Sequence, residues 1–263
     1  MATGERCRRN IAGGRRLVGE FIIICAALAL GGFVKGVAGA GMPVVAIPVL
    51  ATFLDVPSAV AVMVFPVIVT NIMQVIRYRG EAVAVAKLRP MWIMAGVGIV
   101  VGTWLLTAAP EAWLGGALGA VLVAYVILRL GRPHWRIPAH AVGRVAPFAG
   151  LASGVLQGAT GISAPVSLTF LASVNLTRPQ FILAASVLFV TFALIQLPSL
   201  AVAGILTWER ALFSLLALAP VLVAMPAGAR VAGHLSQQAF DRVILVLLVA
   251  MAVKLFADSG LFG

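Results

Sequence analysis

The chain has 263 residues, 62% of them hydrophobic and 10% charged, with a mean hydropathy of +1.10 and a formal net charge of +11. A soluble core of this length does not need so much apolar surface. Long Ala/Leu/Val/Ile runs without strict alternation argue for helices over a barrel, so the expected fold class is an all-α polytopic membrane protein. The basic residues cluster between apolar runs, as cytoplasmic loops do, which points to the lipid bilayer as partner and excludes nucleic acid.

Residues 1–19 form a basic tail with Arg6, Arg8, Arg9, Arg15 and Arg16. With the later run Ala38-Gly39-Ala40 they imitate a signal peptide. Cleavage there would destroy half of an internal repeat, so the stretch reads as an uncleaved first membrane segment. Hydrophobic segments follow at 20–36, 42–54, 58–76, 91–108 and 112–130, making a first membrane repeat over 20–130. Residues 131–144, with Gly131, Pro133 and Pro138, form a linker between halves. The second repeat, 145–258, has segments at 146–157, 164–176, 180–204, 211–229 and 239–257. Trp92, Trp113 and Trp208 open segments and Arg77 ends one, positions where side chains anchor at the interface.

The segments at 20–36, 42–54, 146–157 and 164–176 fall short of the about 20 residues a crossing needs. Two topologies compete. If each short pair makes one net crossing, as a spanning helix with a re-entrant arm, each half has four. If every segment spans, each half has five and the halves are inverted. The four-crossing arrangement keeps Arg77, Arg79, Lys87, Arg89, Arg129, Arg132, Arg136 and Arg144 in the cytoplasm and leaves Glu111 outside. It is the preferred expectation: about eight net crossings, both termini cytoplasmic, parallel halves related by an axis along the membrane normal.

The two halves share a glycine-broken element. Lys35-Gly36-Val37-Ala38-Gly39-Ala40-Gly41-Met42-Pro43-Val44 aligns without gaps to Gln157-Gly158-Ala159-Thr160-Gly161-Ile162-Ser163-Ala164-Pro165-Val166. The same offset carries Leu54 onto Leu176, Pro57 onto Pro179 and Gln74 onto Gln196. Each glycine weakens a helix by roughly 1 kcal/mol relative to alanine. Proline suits the first turn of a new helix. One helix is therefore expected to end near Gly36 and another to begin near Met42, offering unpaired N–H groups and a positive dipole end to an anion. In the second copy Thr160 and Ser163 add hydroxyls. Close helix packing is the competing reading of the glycines. Paired interrupted segments favour a substrate-lining break.

Lys35 is a functional candidate because an ammonium at bilayer depth costs about 2.5–3.5 kcal/mol. It stands near the end of its segment, where snorkelling to the interface competes. Its repeat partner Gln157 carries no charge. Asn71, Gln74, Thr191 and Gln196 are polar residues within long apolar helices, and either line a pathway or join helices. Glu20, Asp55, Glu81, Glu111, Glu209, Asp241 and Asp258 all fall in loops or at segment edges, away from the mid-segment place of a proton relay. Cys7 and Cys25 offer no disulfide scaffold, and His134, His140 and His234 have no metal-ligand spacing. Ser163 lacks a Gly-x-Ser-x-Gly elbow, and no catalytic constellation is visible, so no enzyme and no cofactor is expected.

The duplicated break followed by proline, in a chain of this length, resembles the TauE/SafE family of sulfite-exporter-like permeases of bacterial inner membranes, from about Phe21 to Phe256. Family members carry a Gly-Gly-Gly cluster before the proline. Here the copies are Gly39-Ala40-Gly41 and Gly161-Ile162-Ser163, and the second departs clearly. The resemblance implies a small sulfur-containing anion as cargo: sulfite, a sulfonate or a related organic acid. An inside-negative potential drives a monovalent anion outward with about 2.3 kcal/mol per 100 mV, so export needs no coupling ion. The leading expectation is an inner-membrane permease working by alternating access. Its cargo would contact Lys35, Gly36, Gly39, Gly41, Asn71, Gln74, Gln157, Gly158, Thr160, Gly161, Ser163 and Gln196. A membrane accessory factor whose breaks serve packing is the alternative, and a homo-oligomer is compatible with either.

Overall fold

In lipid a backbone must close its own hydrogen bonds, and the apolar runs do so as helices. The computed structural model describes residues 2–131, 136–234 and 237–259, which contain helices and turns and no strand. The side chains of 2–17, 237–241 and 259 are outside that description. Expectations resting on Cys7, the five tail arginines, Arg132, Pro133, His134 and Asp241 therefore lie outside the described residues.

The first half comprises α1 (Ala2–Ala38), α2 (Met42–Ala51), α3 (Val56–Tyr78), the short α4 (Ala82–Val85), α5 (Arg89–Ala108) and α6 (Glu111–Leu130). The second comprises α7 (Ala139–Thr160), α8 (Ala164–Ser173), α9 (Arg178–Val202), α10 (Trp208–Leu216), α11 (Leu218–Val231) and α12 (Gln237–Ser259). Five stretches are long and apolar enough to cross a membrane: 18–38, 56–108, 111–130, 178–202 and 208–231. The second of them holds both α3 and α5. The chain is thus an all-helical polytopic membrane protein. Helix α7 begins earlier than its apolar run, because His140 and Arg144 sit exposed on its first turns. The α10–α11 junction follows from Pro220, whose ring clashes with the carbonyl four residues back, that of Leu216. Pro66 likewise frees the Val62 carbonyl inside α3, and Ser214 Oγ donates to it at 2.6 Å.

Residue pairings give the helix directions. Phe21 of α1 meets Phe213 of α10, and Gly36 faces Met225 and Ala229 of α11, so these elements run parallel. Met91 and Gly150, then Gly102 and Gly158, pair α5 with α7 in parallel. Helices α3 and α9 are antiparallel, since Gln74 bonds Ser186 and Glu81 bonds Gln180. Helix α2 folds back on α1, with Met42 and Ala46 against Gly31. Each half therefore makes an odd number of passages, and the second half is inverted relative to the first.

The symmetry is reciprocal in detail. A Cβ on Gly39 would meet Ile182, and one on Gly161 would meet Val60; Gly36 faces Met225, and Gly158 faces Thr103. Each partner maps onto its counterpart by the offset that aligns the glycine motifs. Parallel halves with four crossings each are corrected by this arrangement. The loop-charge argument failed because it assigned every basic segment to one side. The turn after α3 and the α6–α7 connection, with Arg79, Lys87, Arg89, Arg136 and Arg144, share one face with Arg178. The start of α1 and the end of α12 lie on the other, beside Thr52, Asp55 and Arg210. Helices α3 and α9 are the most enclosed spans and form the centre.

Candidate functional site

The two breaks flank the α3–α9 centre. At the first, Gly39 (φ 83°) and Gly41 (φ 93°) adopt left-handed backbone that only glycine enters at no steric cost, and Pro43 opens α2. At the second, Gly161 (φ 75°) ends α7, while Ser163 (φ −110°) needs no glycine and accepts from Ser167 Oγ at 3.1 Å. The departure from a glycine cluster is thus accommodated by a different dihedral. The breaks do not meet start to start: Gly41 approaches Leu168 midway along α8, and Gly161 abuts Ile47 midway along α2.

Lys35 occupies the last turn of α1 and is 2% exposed. Its Nζ donates to Asn71 Oδ1 at 2.6 Å and to Thr70 Oγ1 at 3.1 Å rather than reaching the interface. Thr70 in turn donates to the Pro66 carbonyl and Asn71 Nδ2 to the Val67 carbonyl, so both are held rigidly on α3. Among the described residues Lys35 is the single Lys, Arg, Asp, Glu or His that is buried, and no ion pair among them balances it. The α1 C-terminal dipole favours a cation there but is worth only a fraction of a charge.

Gln74 and Gln196 serve the breaks themselves. Gln74 Nε2 donates to the Gly39 carbonyl at 2.9 Å while its Oε1 accepts from Ser186 at 2.9 Å. Gln196 Nε2 donates to the Gly158 carbonyl at 3.3 Å. Gln157 Nε2 donates to the Gly161 carbonyl at 2.8 Å, and its Oε1 is left without a partner. Gln157 lines a cavity of ≈ 10 Å³ with Pro43, Ile47, Val60, Phe192 and Gln196. That is about the space one water needs. Thr160 Oγ1 turns back to the Leu156 and Ile162 carbonyls.

The glycines divide by role. Gly36 and Gly158 face the backbone of α11 and α5, where any side chain would collide with main-chain atoms. Here the packing reading describes the contacts. Thr191 bonds its own helix at Val187, and Arg77 lies over the Tyr78 ring. Sequence reasoning passed over Thr70 and Ser186, whose hydroxyls look like ordinary helix residues until α3 meets α1 and α9. It also passed over Arg178, whose Nη2 caps the Val37 carbonyl at 3.0 Å. The signal for Thr70 was its position beside Asn71, one step from a residue already singled out.

A family model described as sulfite exporter TauE/SafE matches residues 23–255. No curated protein and no solved structure matches the chain. The matched stretch takes in both broken hairpins, the α3–α9 centre and the partners of Lys35, and the chain belongs to the TauE/SafE family of membrane transporters.

Proposed function

We propose that this transporter moves small sulfur-containing anions across a bacterial inner membrane by alternating access, with the cargo seated at the first break. The observation that carries the reading is Lys35: a buried ammonium bonded only to neutral acceptors, with no buried carboxylate among the described residues. Leaving such a charge unpaired is costly, and an anionic cargo supplies the missing partner. Asn71 and Thr70 orient Lys35, and Gln74 holds the Gly39 carbonyl and so the shape of the break. The second break, with Gln157, Thr160, Gly161, Ser163 and Gln196, is the moving counterpart. Gly36 and Gly158 act as close-packing points for the hairpins. The negative potential favours export of a monoanion without a coupling ion.

For orientation, the face bearing Arg79, Lys87, Arg89, Arg136, Arg144 and Arg178 is the cytoplasmic one, by the density of cations in its short loops. The start of α1 and the end of α12 then face the opposite side, whereas the expectation put both termini in the cytoplasm. Labelling single cysteines at Lys87 and Glu111 with an impermeant thiol reagent in intact cells checks this: Glu111→Cys reacts and Lys87→Cys does not. Radiolabelled sulfite efflux from proteoliposomes tests the transport reading. Gly39→Leu or Gly161→Leu protein that elutes as a folded species should carry no sulfite, and undiminished flux would sink the assignment of the breaks.

A further inference from the structure

Resting on the reading of Lys35 as the cargo's counter-charge, we infer that the site balances one charge only, so the transporter selects monovalent anions over divalent ones. Three observations converge on this. First, Lys35 stands alone: the interior has no second buried cation among the described residues, and Arg178 is exposed with a donor committed to the Val37 carbonyl. Second, the pseudo-twofold does not duplicate the charge. The places of Lys35, Thr70 and Asn71 are taken in the other half by Gln157, Phe192 and Ala193, around a cavity whose free polar atom is an acceptor, Gln157 Oε1. An acceptor oxygen repels an anion and provides no second anion subsite.

Third, the other donors of the cluster are neutral and partly spent. Asn71 Nδ2 gives one of its two N–H groups to Val67, Gln74 Nε2 one of its two to Gly39, and the Thr70 hydroxyl its single one to Pro66. An ammonium has three N–H donors, and Lys35 uses two of them within the protein. One charged N–H remains to meet the cargo. A monoanion closes the pair to neutrality in a low-dielectric interior. A dianion leaves one buried charge unbalanced, with only neutral amide N–H groups beside Lys35 and no second buried cation among the described residues to compensate it.

The test uses the purified full chain in lipid nanodiscs. Methanesulfonate, always monovalent near neutral pH, and sulfate, divalent, are titrated at constant ionic strength, with calorimetry and thermal shift as readouts. Methanesulfonate should bind at least about tenfold more tightly than sulfate. Asn71→Asp places a carboxylate on the same ammonium with nearly unchanged shape, and should abolish methanesulfonate binding while the protein elutes as the wild type does. Lys35→Arg should keep the ranking of the two anions. Sulfate binding as tight as methanesulfonate would overturn the charge rule and leave anion transport standing, as would methanesulfonate binding retained in folded Asn71→Asp. Binding of neither anion to the wild type would overturn the rule together with the proposed site. The comparison in the wild type decides the matter even where a variant does not fold.

Discussion

At the break after α1, Lys35 reaches Thr70 and Asn71 on α3, and Gln74 bonds Ser186 on α9. At the break after α7, the corresponding places hold Gln157, Phe192, Ala193, Gln196 and Val64, around a small and largely apolar cavity. The backbones are alike: Gly39 N and Gly161 N bond the carbonyls four residues back at 2.7 and 2.8 Å, and each break is tied down by a glutamine of the following long helix. Duplication has preserved what bends the chain and released what faces the interior. Backbone geometry tolerates few substitutes at a left-handed position, whereas a side chain about one turn away is free to change. The charge has stayed with one half.

The comparison can be broken most severely through the packing glycines. Gly36→Leu and Gly158→Leu drive a side chain into main-chain atoms of α11 and α5, and each should cost at least about 3 kcal/mol. The folded fraction on size exclusion should collapse for both alike. If either variant folds normally, the reciprocal packing is wrong.

Next in size is the chemical asymmetry. Lys35→Met should lower sulfite flux at least about tenfold, the loss of roughly 1.4 kcal/mol of binding or more. Gln157→Met, at the related position, should change flux less than about threefold, since no charge is lost. Equal losses measured in proteoliposomes would mean that the two halves share the cargo equally.

The glutamines sharpen the contrast on a smaller scale. Gln74→Leu removes two hydrogen bonds and should destabilise by about 2 kcal/mol, whereas Gln196→Leu removes one long bond and should cost about 1 kcal/mol. Thermal unfolding in detergent reads the difference. The smallest effect is expected at Gly41. Its φ of 93° makes alanine strained, yet its nearest neighbour is Leu168 Cδ1 at 4.0 Å, so Gly41→Ala should cost about 1 kcal/mol from backbone alone. Gly161→Ala should cost more, because Ile47 and Val60 also stand in the way.

Helix existence was legible from apolar runs, and both breaks from Gly39, Gly41 and Gly161 with their prolines. The repeat offset was legible too, and it holds through the packing partners of the glycines. Lys35 and Asn71 were identified separately, each as a polar residue out of place in an apolar run. Their direct bond was not legible, because residues 36 apart on different helices carry no mutual signal in sequence. The inversion of the halves was lost for a related reason. Loop charges report which side a loop favours, but the direction of α2 depends on whether it packs back against Gly31.

By itself, then, the sequence determined the membrane environment, the existence of the long helices and the duplicated backbone breaks, because hydropathy and dihedral preference act locally. Tertiary structure alone decided that the halves are inverted and that Gly36 and Gly158 pack while Gly39 and Gly161 turn. It also decided that Lys35 points inward to Thr70 and Asn71. Those outcomes depend on which helix faces meet, and that is settled by contacts between residues far apart along the chain.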